Sequence, residues 1–171
     1  MRIALISDTH LPRFGRGLPR ALVAGIRAAG VELILHAGDW TAPWVPDLVE
    51  AIAPLEAVAG NNDGPELVAR FGRRRIVSAG SVRLGLVHGD LGLGRTTPER
   101  ARRAFGPDEV EAICFGHSHV PLVERLSDGR LLVNPGSPTD RRRQARYSWA
   151  LLEVSGSEIR PELRHFDDRS A

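Results

Sequence analysis

The sequence has no lysine and only one cysteine, one tyrosine and one methionine. A lone cysteine, Cys114, forms no internal disulfide and builds no thiolate cluster. Any metal bound by this chain is therefore held by imidazole and oxygen. With lysine absent, all 23 basic charges are arginines. Arginine stays protonated at almost any pH, which explains a pI near 9.4 beside a formal charge of only +2. The high pI is then no argument for nucleic-acid binding. No apolar run approaches the ~18–20 residues of a membrane span. The first apolar stretch is interrupted by Asp8 and is too short for a signal-peptide core, so a cytoplasmic protein is expected. Repeats, low-complexity tracts and linkers are also missing. A single domain over residues 1–171 is expected, with enough chain to bury a sizeable core.

The apolar segments that are present alternate strand and helix. Arg2–Ile6 reads as a strand. Pro19 opens a helix with Leu22, Ile26 and Ala29 on one face, closed by Gly30. Glu32–His36 is the next strand, Pro43 opens a helix with Trp44, Leu48 and Ile52 on one face, and Leu55–Ala59 is a third strand. That order predicts parallel pairing with crossover helices. Further on, Arg75–Ala79 and Val82–Val87 meet at a tight Gly80-Ser81 turn. A helix is expected near Pro98–Phe105, capped by Thr96 or Thr97. The rest is strand-like: Ala112–Phe115, Leu122–Leu126, Leu131–Val133, Ser148–Val154 and Ile159–Leu163, with hairpin turns at Asp128-Gly129 and Ser155-Gly156. An α/β first half and a mostly β second half suggest two packed sheets with helices outside.

Five short motifs follow predicted strands: Asp8-Thr9-His10, Gly38-Asp39, Gly60-Asn61-Asn62-Asp63, His88-Gly89-Asp90 and Gly116-His117-Ser118-His119. Sites in α/β sheets assemble at the carboxyl ends of strands. One such cluster is unremarkable as a cap or a loop histidine; five in register with strand ends point to a metal site. Asp, His and Asn suit Mn, Fe, Ni or Zn. A carboxylate can bridge two cations, and two cations can grip a phosphoryl group and activate water.

The ordered set D-x-H, G-D, G-N-x-D, H-G and G-H-x-H resembles the calcineurin-like metallophosphoesterase superfamily. The short chain and Asn134-Pro135-Gly136-Ser137 resemble its small bacterial and archaeal phosphodiesterases of the YfcE type. The resemblance implies a four-layer α/β/β/α sandwich of two mixed sheets flanked by helices. It implies that Asp8, His10 and His119 hold one metal, that Asn61, His88 and His117 hold a second, and that Asp39 bridges them. Two divalent ions are implied, Mn²⁺ foremost, with Ni²⁺, Fe²⁺, Zn²⁺ or Co²⁺ as substitutes. The reaction implied is attack of a metal-bridging hydroxide on a small phosphodiester or phosphomonoester, and a homodimer is suggested by resemblance alone.

One position departs from the family pattern. Many members have His after the motif Asn, where it assists the leaving group; here it is Asn62, an amide that is no general acid near neutral pH. Asp63, which normally orients that His, shares the catalytic position. Arg142 and Arg143, in the run Arg141–Arg143 with Arg146 nearby, are either a solvated loop or a fork onto substrate phosphate. His36 is expected to pack or to support Asp39, His165 to face solvent and Cys114 to be a core thiol. Trp40 and Trp44 are expected in core or rim, with Trp40 alternatively stacking on an aromatic ester group. Gly89–Gly94 reads as a mobile loop, lacking a dinucleotide or P-loop fingerprint. Two rival readings stand beside the enzyme: a non-catalytic protein-interaction scaffold on the same fold, and a basic nucleic-acid binder, for which no recognition motif appears.

Overall fold

Strand alternation explains the layering of this computed structural model, which describes residues 1–170. In β1 (Arg2–Ile6), Ile3 and Leu5 point to one face and Ala4 and Ile6 to the other. Ile3 and Leu5 join Leu33 and Leu35 of β2 (Leu33–His36) in a core shared with the second sheet. Ala4, Ile6 and Ile34 pack instead against α1 (Arg20–Ala28) through Leu22 and Ile26, and against α2 (Val45–Glu50) through Val45 and Val49. Each such Leu or Ile contributes ~1.5–3 kcal/mol by leaving water. Burial on both faces is why these strands read as unbroken apolar runs.

The first sheet has the order β10-β9-β1-β2-β3. β3 (Leu55–Ala57) runs parallel to β2, and β2 parallel to β1. The hairpin of β9 (Tyr147–Ser155) and β10 (Glu158–Phe166) returns from the far end of the chain to pair antiparallel with β1. The second sheet has the order β4-β5-β6-β8-β7. Its strands are β4 (Arg74–Ala79), β5 (Val82–Val87), β6 (Ala112–Cys114), β7 (Leu122–Arg125) and β8 (Leu131–Asn134). Val77, Leu84, Leu86, Cys114 and Val133 face the first sheet. Ala101 of α4 (Thr97–Arg103) and Phe105 cover the outer face against Ile113 and Leu132. The result is two mixed sheets between helices, as the resemblance implied.

Three local expectations need correction. α2 buries Val45, Pro46 and Val49, whereas Trp44 caps it and is 41% exposed. With only six residues, the helix takes its buried face from the i, i+4 pair at its ends. A third helix, α3 (Pro65–Phe71), was not anticipated, although Gly64, Pro65 and Glu66 form a recognisable start. β3 ends at Ala57, not Ala59, because the Ala59 amide leaves the sheet and donates to the Gly72 carbonyl. α4 agrees with expectation, its N-cap being Thr96, whose side chain accepts from the Glu99 amide.

Candidate metal centre

The five motif loops leave β1, β2, β3, β5 and β6 at their carboxyl ends. β1–β3 are mutually parallel, and so are β5 and β6, so both sheets deliver their loops to one edge. The turns are tight. Seven non-glycine residues have positive φ among the described residues: Asp8, His10, Asp39, Thr41, His117, His119 and Arg142. Five of them are expected ligands. Such left-handed conformations cost on the order of 1 kcal/mol each and gather at functional sites, where surrounding structure enforces them. Gly60 and Gly116 leave the needed space: a Cβ at Gly60 would strike the Asp39 carboxylate, and one at Gly116 would strike the Ser7 hydroxyl.

The donor atoms face one another in two sets. In the first, Asp8 Oδ1 lies 3.3 Å from His119 Nε2 and 3.8 Å from His10 Nε2, and the two imidazole nitrogens are 3.3 Å apart. In the second, His88 Nε2 lies 3.2 Å from Asp39 Oδ2 and 3.3 Å from His117 Nδ1. Asn61 Oδ1 is 2.9 Å from His117 Nδ1. Asp39 Oδ2 is also 3.6 Å from His10 Nε2, so one carboxylate reaches both sets. Ligands held ~2.1 Å from a shared cation at tetrahedral angles sit roughly 3.4 Å apart.

The hydrogen bonds test whether cations fit. Ala37 O is 2.7 Å from His88 Nδ1, and Asp140 O is 2.6 Å from His119 Nδ1. A carbonyl only accepts, so each Nδ1 carries hydrogen and each Nε2 is the nitrogen turned into the site, a lone pair whenever the ring is neutral. Asp8 Oδ1 is buried with no hydrogen-bond partner. A buried oxygen left unpaired costs ~1–3 kcal/mol. Facing ring nitrogens beside an orphaned carboxylate oxygen fit cations.

The calcineurin-like phosphoesterase superfamily profile matches residues 1–157. The chain belongs to that superfamily. A probable metallophosphoesterase of Methanothermobacter thermautotrophicus is 35% identical over 95% of this chain and 91% of its own length. The probable metallophosphoesterase YsnB of Bacillus subtilis is 33% identical over 94% and 89%. The Vps29 structure of Chaetomium thermophilum shares the fold at 20% identity, with a TM-score of 0.79 and 97% of each chain covered.

Electrostatics in this superfamily member are set by burial against pairing. Burial opposes a charge on His88, but its hydrogen bond to Asp39 and the negative charges of Asp8 and Asp39 outweigh it, raising the pKa to about 9. Burial likewise opposes ionisation of Asp39, yet His88 and Asn62 hold it well below the usual carboxylate range. Burial lowers His10 and His117. The metal-free site thus keeps a proton between His88 and Asp39 that a cation must displace.

The two residues assigned to catalysis are already engaged. The Asn62 side chain donates to Asp39 Oδ2 at 2.7 Å and its backbone amide to Oδ1 at 2.9 Å, so it orients the shared carboxylate. Asp63 accepts from the amides of Asp39, Trp40, Thr41 and Gly60, clamping two ligand loops together. Arg142 is exposed, with Nε 3.7 Å from Asp140 Oδ2, and Arg143 is exposed beside it. Trp40 is not at the rim: it is fully buried, stacked between His36 and Phe71. His36 accepts from the Gly38 amide through Nδ1 and contacts the Thr9 hydroxyl through Nε2, supporting both adjoining loops. Burial pushes the Cys114 thiol up to about 12, and His165 is exposed.

Sequence reasoning missed several supporting residues. Ser137 Oγ donates to Asp8 O, and Thr139 Oγ1 to Thr9 O. Asn134 Nδ2 donates to Gly116 O. These residues lie in or just past the Asn134–Ser137 segment, a signal that carried no role by itself. Arg73 ties the Gly60 carbonyl to the Asp90 carboxylate, joining the loops of Asn61 and His88 from behind. Nothing in its sequence context marks it.

Proposed function

We propose that this protein is a two-cation phosphoesterase acting on small phosphodiesters, with phosphomonoesters as weaker substrates. The observation that carries the reading is the pair of donor sets sharing Asp39 around a buried, unpartnered Asp8 oxygen. Asp8, His10 and His119 would hold one cation, and Asn61, His88 and His117 the other, with Asp39 common to both. When bound, the pair supplies Lewis-acid polarisation of phosphoryl oxygens and a water acidified toward neutral pKa. The mixed nitrogen and oxygen set suits Mn²⁺, and Ni²⁺, Fe²⁺, Zn²⁺ or Co²⁺ after it.

The chain's own groups prepare that chemistry. Asn62 holds the Asp39 carboxylate in place. Ala37 and Asp140 fix the His88 and His119 tautomers. Burial of Asp8, Asp39, His88 and His119 strengthens every charge interaction at the site. Cys114 lies inside a core strand, away from the loops, so water rather than sulfur is the attacking group. The Asn62 amide supplies no proton to the departing oxygen. That favours substrates whose leaving groups depart unaided.

The complete donor set supports this reading over that of a non-catalytic scaffold on the same fold. The test is to quantify bound metal in the purified chain and assay bis(p-nitrophenyl) phosphate and p-nitrophenyl phosphate with chelator, Mn²⁺ and Ni²⁺. Hydrolysis that chelator abolishes and Mn²⁺ restores is expected. No metal-dependent hydrolysis of either ester would overturn the reading in favour of the scaffold.

A further inference from the structure

We propose that Thr41 is a positioning residue for His10, holding its Nε2 toward the first donor set; the inference rests on the cation-binding part of the reading above. His10, His88 and His119 each present Nε2 to the centre. Carbonyls fix the rear nitrogen of two of them, Ala37 O behind His88 and Asp140 O behind His119. No carbonyl bonds to Nδ1 of His10. Among the described residues its hydrogen-bond partner is Thr41 Oγ1, at 3.4 Å.

The ring needs such a partner. His10 stacks on His119 with centroids 5.2 Å apart and planes 16° apart, and it meets Phe14 edge-on. Stacking fixes the plane of an imidazole but not which edge faces inward. A half-turn about the Cβ–Cγ bond keeps the plane and exchanges Nε2 for a carbon. A polar contact at Nδ1 separates the two orientations. With a cation on Nε2, the neutral ring carries its hydrogen on Nδ1, and a hydroxyl oxygen can accept it.

The backbone shows that this placement is enforced. Thr41 has φ +82° and is the one β-branched residue among the seven described non-glycine residues with positive φ. A branched side chain in that region is an outlier. Asp63 holds the segment by accepting the amides of Asp39, Trp40 and Thr41 at 3.0, 2.8 and 2.8 Å. Trp40 anchors it from the other side, buried, with Nε1 donating to Val58 O at 3.0 Å. One short segment thus presents the Asp39 carboxylate and sets a hydroxyl behind His10. Thr41 is exposed, so core packing does not require its branch. Branching restricts χ1 and so limits where the hydroxyl can point. An unfavourable conformation held by its surroundings beside a metal centre fits a functional constraint.

The test uses the full chain. Thr41→Val removes the hydroxyl and keeps the branch, whereas Thr41→Ser keeps the hydroxyl. Calorimetric titration of metal-free protein with Mn²⁺ is expected to show one of the two affinities about tenfold weaker in Thr41→Val, the other unchanged, and both within about threefold of wild type in Thr41→Ser. In Zn²⁺-loaded protein, the His10 Nδ1–H resonance, assigned by its loss in His10→Gln, is expected in wild type and Thr41→Ser and is expected to exchange away in Thr41→Val. The metal-free melting temperature of Thr41→Val should stay within about 2 °C of wild type. Should that variant fail to fold, Thr41→Gly, which frees the backbone as it removes the hydroxyl, is expected to show the same tenfold loss. Unchanged affinities and an unchanged His10 resonance overturn the inference and leave the phosphoesterase reading intact. The expected losses in a chain that hydrolyses neither ester support the inference while the phosphoesterase reading fails. A wild type that binds no cation overturns both.

Discussion

Removing the cations with a chelator is expected to lower the melting temperature of the loaded protein by roughly 10–20 °C. The structure supplies the reason. Without a cation, Asp8 Oδ1 is buried and unpartnered, a penalty of ~1–3 kcal/mol, and His10 Nε2 faces His119 Nε2 at 3.3 Å. Cations would bind this preformed arrangement in preference to the unfolded chain. A site at a free concentration 100 times its dissociation constant adds ~2.7 kcal/mol, so two sites add about 5 kcal/mol. For a chain of 171 residues, 1 kcal/mol moves the midpoint by about 2–4 °C. Scanning calorimetry in chelator, then across an Mn²⁺ series, reads the effect directly. A shift below about 2 °C at saturating Mn²⁺ would refute the argument that these donors form cation sites.

Four further outcomes follow from the same geometry. His88 is raised from 6.5 to about 9, so its contribution to the metal-free fold is fully present below pH 6.5 and is lost as pH rises through 9; the urea midpoint of metal-free wild type should fall between pH 6 and 10 by roughly 3 kcal/mol equivalent, and that of His88→Gln much less. Asp39→Asn removes the shared carboxylate, so bound metal should drop below two equivalents and kcat/KM fall by about 10²-fold or more, read by metal analysis and diester assay. Arg73→Ala cuts the tie between the Gly60 and Asp90 loops, so calorimetric titration should show one of the two cation affinities reduced about 10–100-fold while the other holds. With no acid at Asn62, log(kcat/KM) for aryl diesters should fall steeply as leaving-group pKa rises; a flat line would refute the unaided-departure reading.

The archetype was readable because its signals are local. Asp39 follows Gly38 just past an apolar run, and His117 and His119 sit two apart after another, so composition and order sufficed to nominate the donors. α3 was overlooked because its seven residues bury only Leu67, leaving little helical periodicity to read. Sequence left Trp40 open between core and rim, because the stacking on Phe71 that places it in the core joins segments distant in the chain. The role of Asn62 was equally hidden, since whether an amide faces substrate or a carboxylate depends on where the opposing loop lies.

By itself the sequence determined the alternation of strands and helices, the oxygen and imidazole character of any metal site, and the absence of a motif histidine at Asn62. Tertiary structure alone decided the pairing of β9 with β1, the reach of Asp39 to both donor sets, and the carbonyls of Ala37 and Asp140 that set the ring tautomers. The physical reason is range. Periodicity and donor chemistry are written residue by residue, whereas a contact between loops from two sheets exists only after both sheets have packed.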